Sequence, residues 1–409
     1  MAHFAQSALS TERNPTRVAV AVSGGSDSMA VLHLMAAVAA HEGFALWAVT
    51  VDHALRPESA AEAAQVAQIC AGLGVPHAVL RWQHGAVAGN LMEAARKARY
   101  GLMADWAAGQ GISHILLGHT ADDQAETFLM GLARGAGIDG LVGMRRHWDE
   151  GAVRFLRPFL VVSRADLRGY LTRQGVAWIE DPSNDNDRFT RVKARRALRA
   201  LKPLGITIDR LNGVIVNLLE AQGAVQAATA DAAKRLCRSS EAGEVIFDHK
   251  LWRHEGGEVQ RRVLIAALRW ISGAGYAPRG SGVFRAMMAI AQGRDTTLSG
   301  CRIKLSDAVF RVMREPRAVA GLVAPPGALW DGRWQVEGPF EPGQELRALG
   351  ADGLRQCKDW KATGHSRDSL LVSPAVWYDG TLIAAPIAGY GADFSARIVA
   401  PFTDFILSH

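Results

Sequence analysis

Apolar positions in the first third of the chain follow two alternating rhythms. Compact β-rich runs at 18–22, 46–51, 79–82 and 115–117 are separated by longer stretches with apolar residues three and four apart. The runs predict strands, and the stretches predict helices over 27–41, 59–73, 91–108 and 122–134. Regular alternation of this kind builds βαβ units, so the expected fold is α/β: a doubly wound parallel sheet with helices on both faces. Ligands on such sheets bind beyond the carboxyl ends of the strands, which directs attention to the segments that follow each run.

Further along, the rhythm changes. A helix is expected over 163–174, ended at Gly175, and Asp181-Pro182-Ser183-Asn184-Asp185 reads as a turn in which Pro182 blocks helix continuation. Pro203 to Gly205 marks a boundary. Beyond it, 208–238 is alanine-rich and helical, with further helices at 257–270 and 283–291, and after 296 short strands (297–305, 309–313, 382–387) and Gly/Pro turns dominate. The expected division is therefore 1–205, a helical middle domain 206–295, and a mixed or β-rich domain 296–409.

Composition narrows the class. Hydrophobic residues make up 49% of the 409, enough for more than one core, and no apolar run approaches a membrane span. The polar start has no signal core, so a cytoplasmic protein without membrane association is expected. Cys70, Cys237, Cys301 and Cys357 are scattered with no C-x-x-C pair, which argues against a disulfide framework or a cysteine metal site. Of the net charge of +6, the segment 151–210 carries more than all, with thirteen Arg and Lys against six Asp and Glu. Focused basicity of that kind points to a polyanionic partner.

Three clusters carry candidate chemistry. Ser23-Gly24-Gly25-Ser26-Asp27-Ser28 lies between the first strand and the first helix, where two glycines, three hydroxyls and a helix N-terminus make a phosphate cradle. It lacks the lysine of a G-x-x-x-x-G-K-[ST] loop, which turns the expected chemistry away from γ-phosphoryl transfer. Asp27 reads either as a first-turn acid favouring the helix dipole or as a Mg²⁺ ligand beside bound phosphates. Asp52 and His53 follow the second strand, and Gly118 and His119 follow the fourth, so three loops are expected to converge. In His119-Thr120-Ala121-Asp122-Asp123-Gln124-Ala125-Glu126, Asp123 and Glu126 share one helical face, either as an ordinary acidic turn or as a seat for metal or an ammonium group. Between 188 and 202 there are seven cations and no acid. Arg188, Arg191, Arg195, Arg199 and Lys202 form one stripe, with Lys193 and Arg196 beside it, as a contact for phosphate or RNA.

Ser-Gly-Gly-x-Asp-Ser resembles the pyrophosphate loop of the N-type ATP pyrophosphatases, which split ATP between the α- and β-phosphates. Taken in order with Val51-Asp52-His53-Ala54-Leu55-Arg56, Glu93 to Tyr100, Gly118 to Thr127, Arg134-Gly135-Ala136-Gly137, Arg157-Pro158 and Glu180-Asp181-Pro182-Ser183-Asn184, it resembles the bacterial tRNA(Ile)-lysidine synthetase family over about the first 200 residues. Thr297 to Cys301 and Arg314-Glu315 resemble that family's C-terminal domain more faintly. Val192 stands where the family often has asparagine after the arginine. The resemblance implies an adenine-nucleotide-hydrolase-like fold, with ATP and Mg²⁺ as cofactors and tRNA(Ile) with a CAU anticodon and free lysine as substrates. It implies a monomer or homodimer. The implied reaction adenylates C2 of the wobble cytidine, releases pyrophosphate, and lets lysine displace AMP to give lysidine. By resemblance, Ser23 to Ser28, Asp52, His53, Gly118 and His119 would bind the nucleotide. Asp27 and Asp123 would hold metal, Asp123 and Glu126 metal or the lysine amine, and Arg99, Arg191 and Arg195 phosphate, adenylate or lysine. Competing expectations are tRNA thiolation, against which the scattered cysteines argue, glutaminase-linked amidation, and a non-catalytic nucleotide- or RNA-binding module.

Overall fold

The computed structural model describes residues 15–52, 59–83, 91–180 and 190–408. They form two compact units, 1–222 and 223–409. The first unit is built on a six-stranded sheet of β1 (Arg17–Ala21), β2 (Ala45–Asp52), β3 (His77–Arg81), β4 (His114–Leu116), β5 (His147–Glu150) and β6 (Val153–Leu156). Its order is β3-β2-β1-β4-β6-β5, parallel throughout except for the edge strand β5. The β5–β6 hairpin is absent from the expected elements, because His147, Asp149 and Glu150 give it too few apolar positions to read as a strand.

Burial along β1 explains the two-sided architecture. Val18, Val20 and Val22 face a core made with Met29, Leu32, Met35, Val66, Leu167 and Leu171, while Ala19 and Ala21 face one made with Met103, Ala107, Ile115 and Phe155. Period-two alternation with both sets fully buried is what a central parallel strand requires. Helices α1 (Ser26–Glu42), α2 (Ser59–Gly72) and α6 (Arg164–Arg173) supply the first core, and α3 (Leu91–Gly109) the second. α4 (Ala121–Leu132) packs through Ala125 and Phe128 on Leu198 of α7 (Thr190–Leu201) and on Leu211 and Ile215. The short α5 (Ile138–Leu141) packs against α4. The chain passes from β1 out to β2 and β3, then returns across β1 to β4, so the reversal of winding falls between β1 and β4. A cleft for ligand is expected there, beyond the carboxyl ends of those two strands.

α8 (Ile208–Leu236) is 29 residues long. The second unit contains a five-stranded antiparallel sheet in which Cys237–Ser239 pairs with Val245–Asp248 and the latter with Val309–Arg314, backed by the helices Gly257–Ser272 and Gly280–Ala291. The expected strand 297–305 is a hairpin, Thr296–Leu298 and Cys301–Leu305. Ser299 and Gly300 both take positive φ in its two-residue turn, which is the backbone a tight right-twisted hairpin needs. The expected strand at 382–387 ends at Ala384, and Pro386 opens a 3₁₀ turn there. A three-stranded and a two-stranded sheet close the unit around Trp330 and Trp334.

Candidate active site

The phosphate loop is folded on itself by its own hydroxyls. Ser28 Oγ donates to the Gly25 carbonyl (3.0 Å) and accepts from the Ser23 amide (3.1 Å). Gly24 has φ +82°, and its carbonyl accepts from the Ile179 amide at 2.9 Å. Glycine is required twice: at Gly24 by the left-handed backbone, and at Gly118 by contact. A Cβ on Gly118 would sit 2.9 Å from the Ser28 nitrogen and 3.0 Å from the Asp27 carbonyl carbon. The end of β4 is thus pressed against the loop that ends β1, as the reversal in winding implies.

Carboxylates from the two helices meet beside that loop. Asp123 is 5% exposed and accepts from both the amide and the hydroxyl of Thr120 (2.9 Å each), closing a capping box on α4. Glu126, one turn on, is 1% exposed. Asp27 from α1 joins them through Arg164, whose guanidinium lies 2.9 Å from Asp27, 3.4 Å from Asp123 and 3.6 Å from Glu126. Arg195 grips Glu126 at 2.6 Å and Arg191 approaches Asp123 at 3.7 Å. Burial raises the carboxyl pKa of Asp27 and Glu126 despite these cations. Burial also opposes ionisation of Asp123, but Arg164, the Thr120 amide and Arg191 outweigh it and hold that carboxyl below its usual range.

On the other flank, His119 Nδ1 accepts from Arg157 Nε at 3.0 Å. Burial and the Arg157 charge push the imidazole down to about 3, so it is neutral. Arg157 lies over the Trp148 ring, 4.3 Å from its centroid, and Trp148 stacks on Phe155 with Tyr100 at their edges. Arg99, on α3, is half-buried, and burial lowers its pKa. Asp52, at the end of β2, accepts from Ser59 Oγ at 2.7 Å.

The basic stripe divides. Arg191 and Arg195 turn to the carboxylates, while Lys193, Arg196, Arg199 and Lys202 are exposed. Val192 is buried, an apolar contact where an amide would want a partner. His53, Arg188 and the Asp181-Pro182-Ser183-Asn184-Asp185 turn lie outside the described residues.

Sequence reasoning quoted Arg157 only as part of the resemblance, with no site role, and missed Arg164 and Arg168. Arg168 binds Ser26 Oγ (3.2 Å) and Glu180 (3.0 Å), so α6 touches the loop as well as the acids. The signal was present in the sequence: Arg164 opens a helix capped by Ser163, at the positive end of its dipole, where a cation is disfavoured unless acids face it. Arg168, four residues on, shares its side of the helix.

A Gly/Ser loop of this form without a lysine, beside carboxylates across the β1/β4 reversal, is the pattern of one class: ATP-using enzymes of the pyrophosphate-loop fold. Residues 2–201 match the family model described as a PP-loop domain. The tRNA(Ile)-lysidine synthase of Ruegeria pomeroyi is 44% identical over 97% of this chain and 95% of its own length. That of Brucella anthropi is 35% identical over 90% and 84%, and that of Rhizobium meliloti 36% over 79% and 73%. The chain belongs to the tRNA(Ile)-lysidine synthase family.

Proposed function

We propose that this chain uses ATP to join free lysine to C2 of the wobble cytidine of tRNA(Ile) with a CAU anticodon, through an adenylated cytidine, giving lysidine, AMP and pyrophosphate. The observation that carries the reading is the 44% identity to a tRNA(Ile)-lysidine synthase along 97% of the chain, joined to the carboxylates and arginines gathered at the phosphate loop. Residues 23–28 and Gly118 would hold the pyrophosphate portion of ATP on the N-terminus of α1. Asp52, His53 and His119 would flank the nucleotide. Asp27 and Asp123 would hold Mg²⁺ carried in with ATP. Their oxygen donors suit it, and one or two carboxylates suffice when phosphates supply further ligands. When bound, the ion would neutralise charge on the departing pyrophosphate.

The second half-reaction needs an uncharged amine, because an ordinary lysine amine near pKa 10.4 is almost wholly protonated in neutral water. Glu126 is suited to take that proton. Arg195 fixes one of its oxygens, while the other, Oε2, is buried without a hydrogen-bond partner among the described residues, and burial raises its affinity for a proton. Arg99 and Arg191 would neutralise phosphate and adenylate. The exposed Arg196, Arg199, Lys193 and Lys202, with Arg188, would hold the RNA backbone without selecting a base. Residues 206–295 and 296–409 would provide the remaining tRNA contacts. No helix among the described residues is long and apolar enough to cross a membrane, and the reading places the enzyme in the cytoplasm with its tRNA. A homodimer is the remaining partner expectation, to be read by light scattering.

Mass spectrometry of nucleosides from tRNA(Ile) incubated with enzyme, ATP and lysine is the test. Lysidine on that transcript, and none on methionine tRNA with the same anticodon, is expected. Its absence from the cognate transcript would overturn the reading.

A further inference from the structure

Arg164 stands apart from the other cations of the site. Of the three acids Asp27, Asp123 and Glu126, Arg191 and Arg195 each approach one, whereas Arg164 spans all three: Nε to Asp27 at 2.9 Å, Nη2 to Asp123 at 3.4 Å and Nη1 to Glu126 at 3.6 Å. It is the one link between the acid of the phosphate loop and the acids of α4 in this set of ion pairs. Within this set of described ion pairs three carboxylates face three guanidiniums, so the acids are already matched and offer no excess charge to draw a cation from water. The proposed reaction nevertheless brings cations to these acids, as a primary ammonium, a divalent ion or both. Something must give way.

We propose that Arg164 is a stand-in cation: a positioning residue that holds Asp27, Asp123 and Glu126 in place while the site is empty and yields that position to the incoming cation. This rests on the lysidine-forming reading and assigns the site's missing step. Arg164 is the guanidinium whose withdrawal frees all three acids at once, whereas Arg191 reaches only Asp123 among them, at 3.7 Å. Arg164 stands in the first turn of α6, where the helix dipole disfavours it, and none of its contacts is as short as the 2.6 Å pair by which Arg195 keeps Glu126. Glu126 Oε2, in a residue 1% exposed, has no hydrogen-bond partner among the described residues, so this acid has capacity that Arg164 and Arg195 leave unused. A guanidinium released from Asp27 remains beside a loop that would carry phosphate, where its charge is again matched.

The test is calorimetry on the full-length, nucleotide-free enzyme with three probes: L-lysine, Mn²⁺ in place of Mg²⁺, and norleucine, which lacks the ε-amine. Arg164→Gln leaves the acids in excess, and L-lysine or Mn²⁺ is expected to bind on the order of tenfold more tightly than to the unchanged enzyme, with norleucine unaffected. Which probe gains identifies the cation that Arg164 makes way for. If neither gains, the proposal is overturned; a brace for the fold would instead weaken every ligand and lower the melting temperature. Should the glutamine variant not fold, Arg164→Lys carries the test, since a single ammonium cannot span three acids and a gain of about threefold is expected against none. An enzyme that makes lysidine but shows no gain in either variant loses this inference alone. One that makes no lysidine loses the function reading.

Discussion

Gly118 shows how little room the chemistry leaves at the level of one residue. Its missing side chain is what lets β4 close on the phosphate loop, and the atoms a methyl would meet, Ser28 N and the Asp27 carbonyl carbon, are backbone and cannot rotate aside. Gly118→Ala should therefore shift the loop, costing about 1–3 kcal/mol in urea unfolding. A displacement of the reacting groups by about 1 Å would cut kcat on the order of 100-fold. His119 gives a prediction with a definite sign. Folded, its imidazole is held at about 3, against an unfolded value near 6.5. Above pH 6.5 both states are neutral and it contributes nothing. As pH falls below 6.5 the unfolded chain takes up a proton that the native one refuses, so stability is lost until about pH 3. Between about pH 7.5 and pH 5 the wild type should lose about 2 kcal/mol more than His119→Asn, whose amide can still accept from Arg157. Equal losses in urea titrations at the two pH values would refute the assignment.

Among the elements, the helix Thr190–Leu201 does two jobs that its sequence states as one. Spacing of three and four marks a basic stripe, but only tertiary contact shows that Arg191 and Arg195 turn inward to Asp123 and Glu126 while Lys193, Arg196 and Arg199 stay exposed. The consequence is separable. Replacing Lys193, Arg196 and Arg199 with glutamine should lower the slope of log affinity for tRNA against log salt by roughly one unit for each cation withdrawn from the phosphates, about three in all, in filter-binding titrations. Turnover at saturating tRNA should change far less, because the inward arginines are untouched. The same contrast explains what was legible in advance. The strands and helices around the sheet were readable because both faces of β1 are buried and its neighbours repeat with the right period. The phosphate loop and the Asp123/Glu126 pair were readable because their spacing is local. For Arg164 only its uncomfortable place in the first turn of a Ser163-capped helix was legible; its three partners lie 38, 41 and 137 residues away in sequence and no periodicity links them. The β5–β6 edge was lost for another reason: an edge hairpin needs only one apolar face, and polar residues dominate His147–Glu150.

Across the whole molecule, the cysteines decide between this chemistry and its nearest rival. A thiolating enzyme of the same fold needs a thiolate that can attack or hold sulfur, and such a group is exposed and lowered in pKa by a nearby cation. Here all four thiols are free and none has that character. Burial pushes Cys70 up to about 11 and both Cys237 and Cys301 up to about 12, and it raises Cys357 as well. Cys70 lies in the first core with Val18 and Val20, Cys301 on a strand of the five-stranded sheet within the core that its helices share, and Cys357 in the core of Trp330 and Trp334. They serve as small apolar side chains in three separate cores. The native enzyme should therefore react negligibly with a chromogenic disulfide at neutral pH and should release about four equivalents of thiol only when unfolded. Prolonged treatment of the folded protein with iodoacetamide should leave lysidine formation intact. Rapid labelling of one cysteine with parallel loss of activity would mean that a thiol takes part in the reaction, and the division of labour between carboxylates and arginines would have to be redrawn around it.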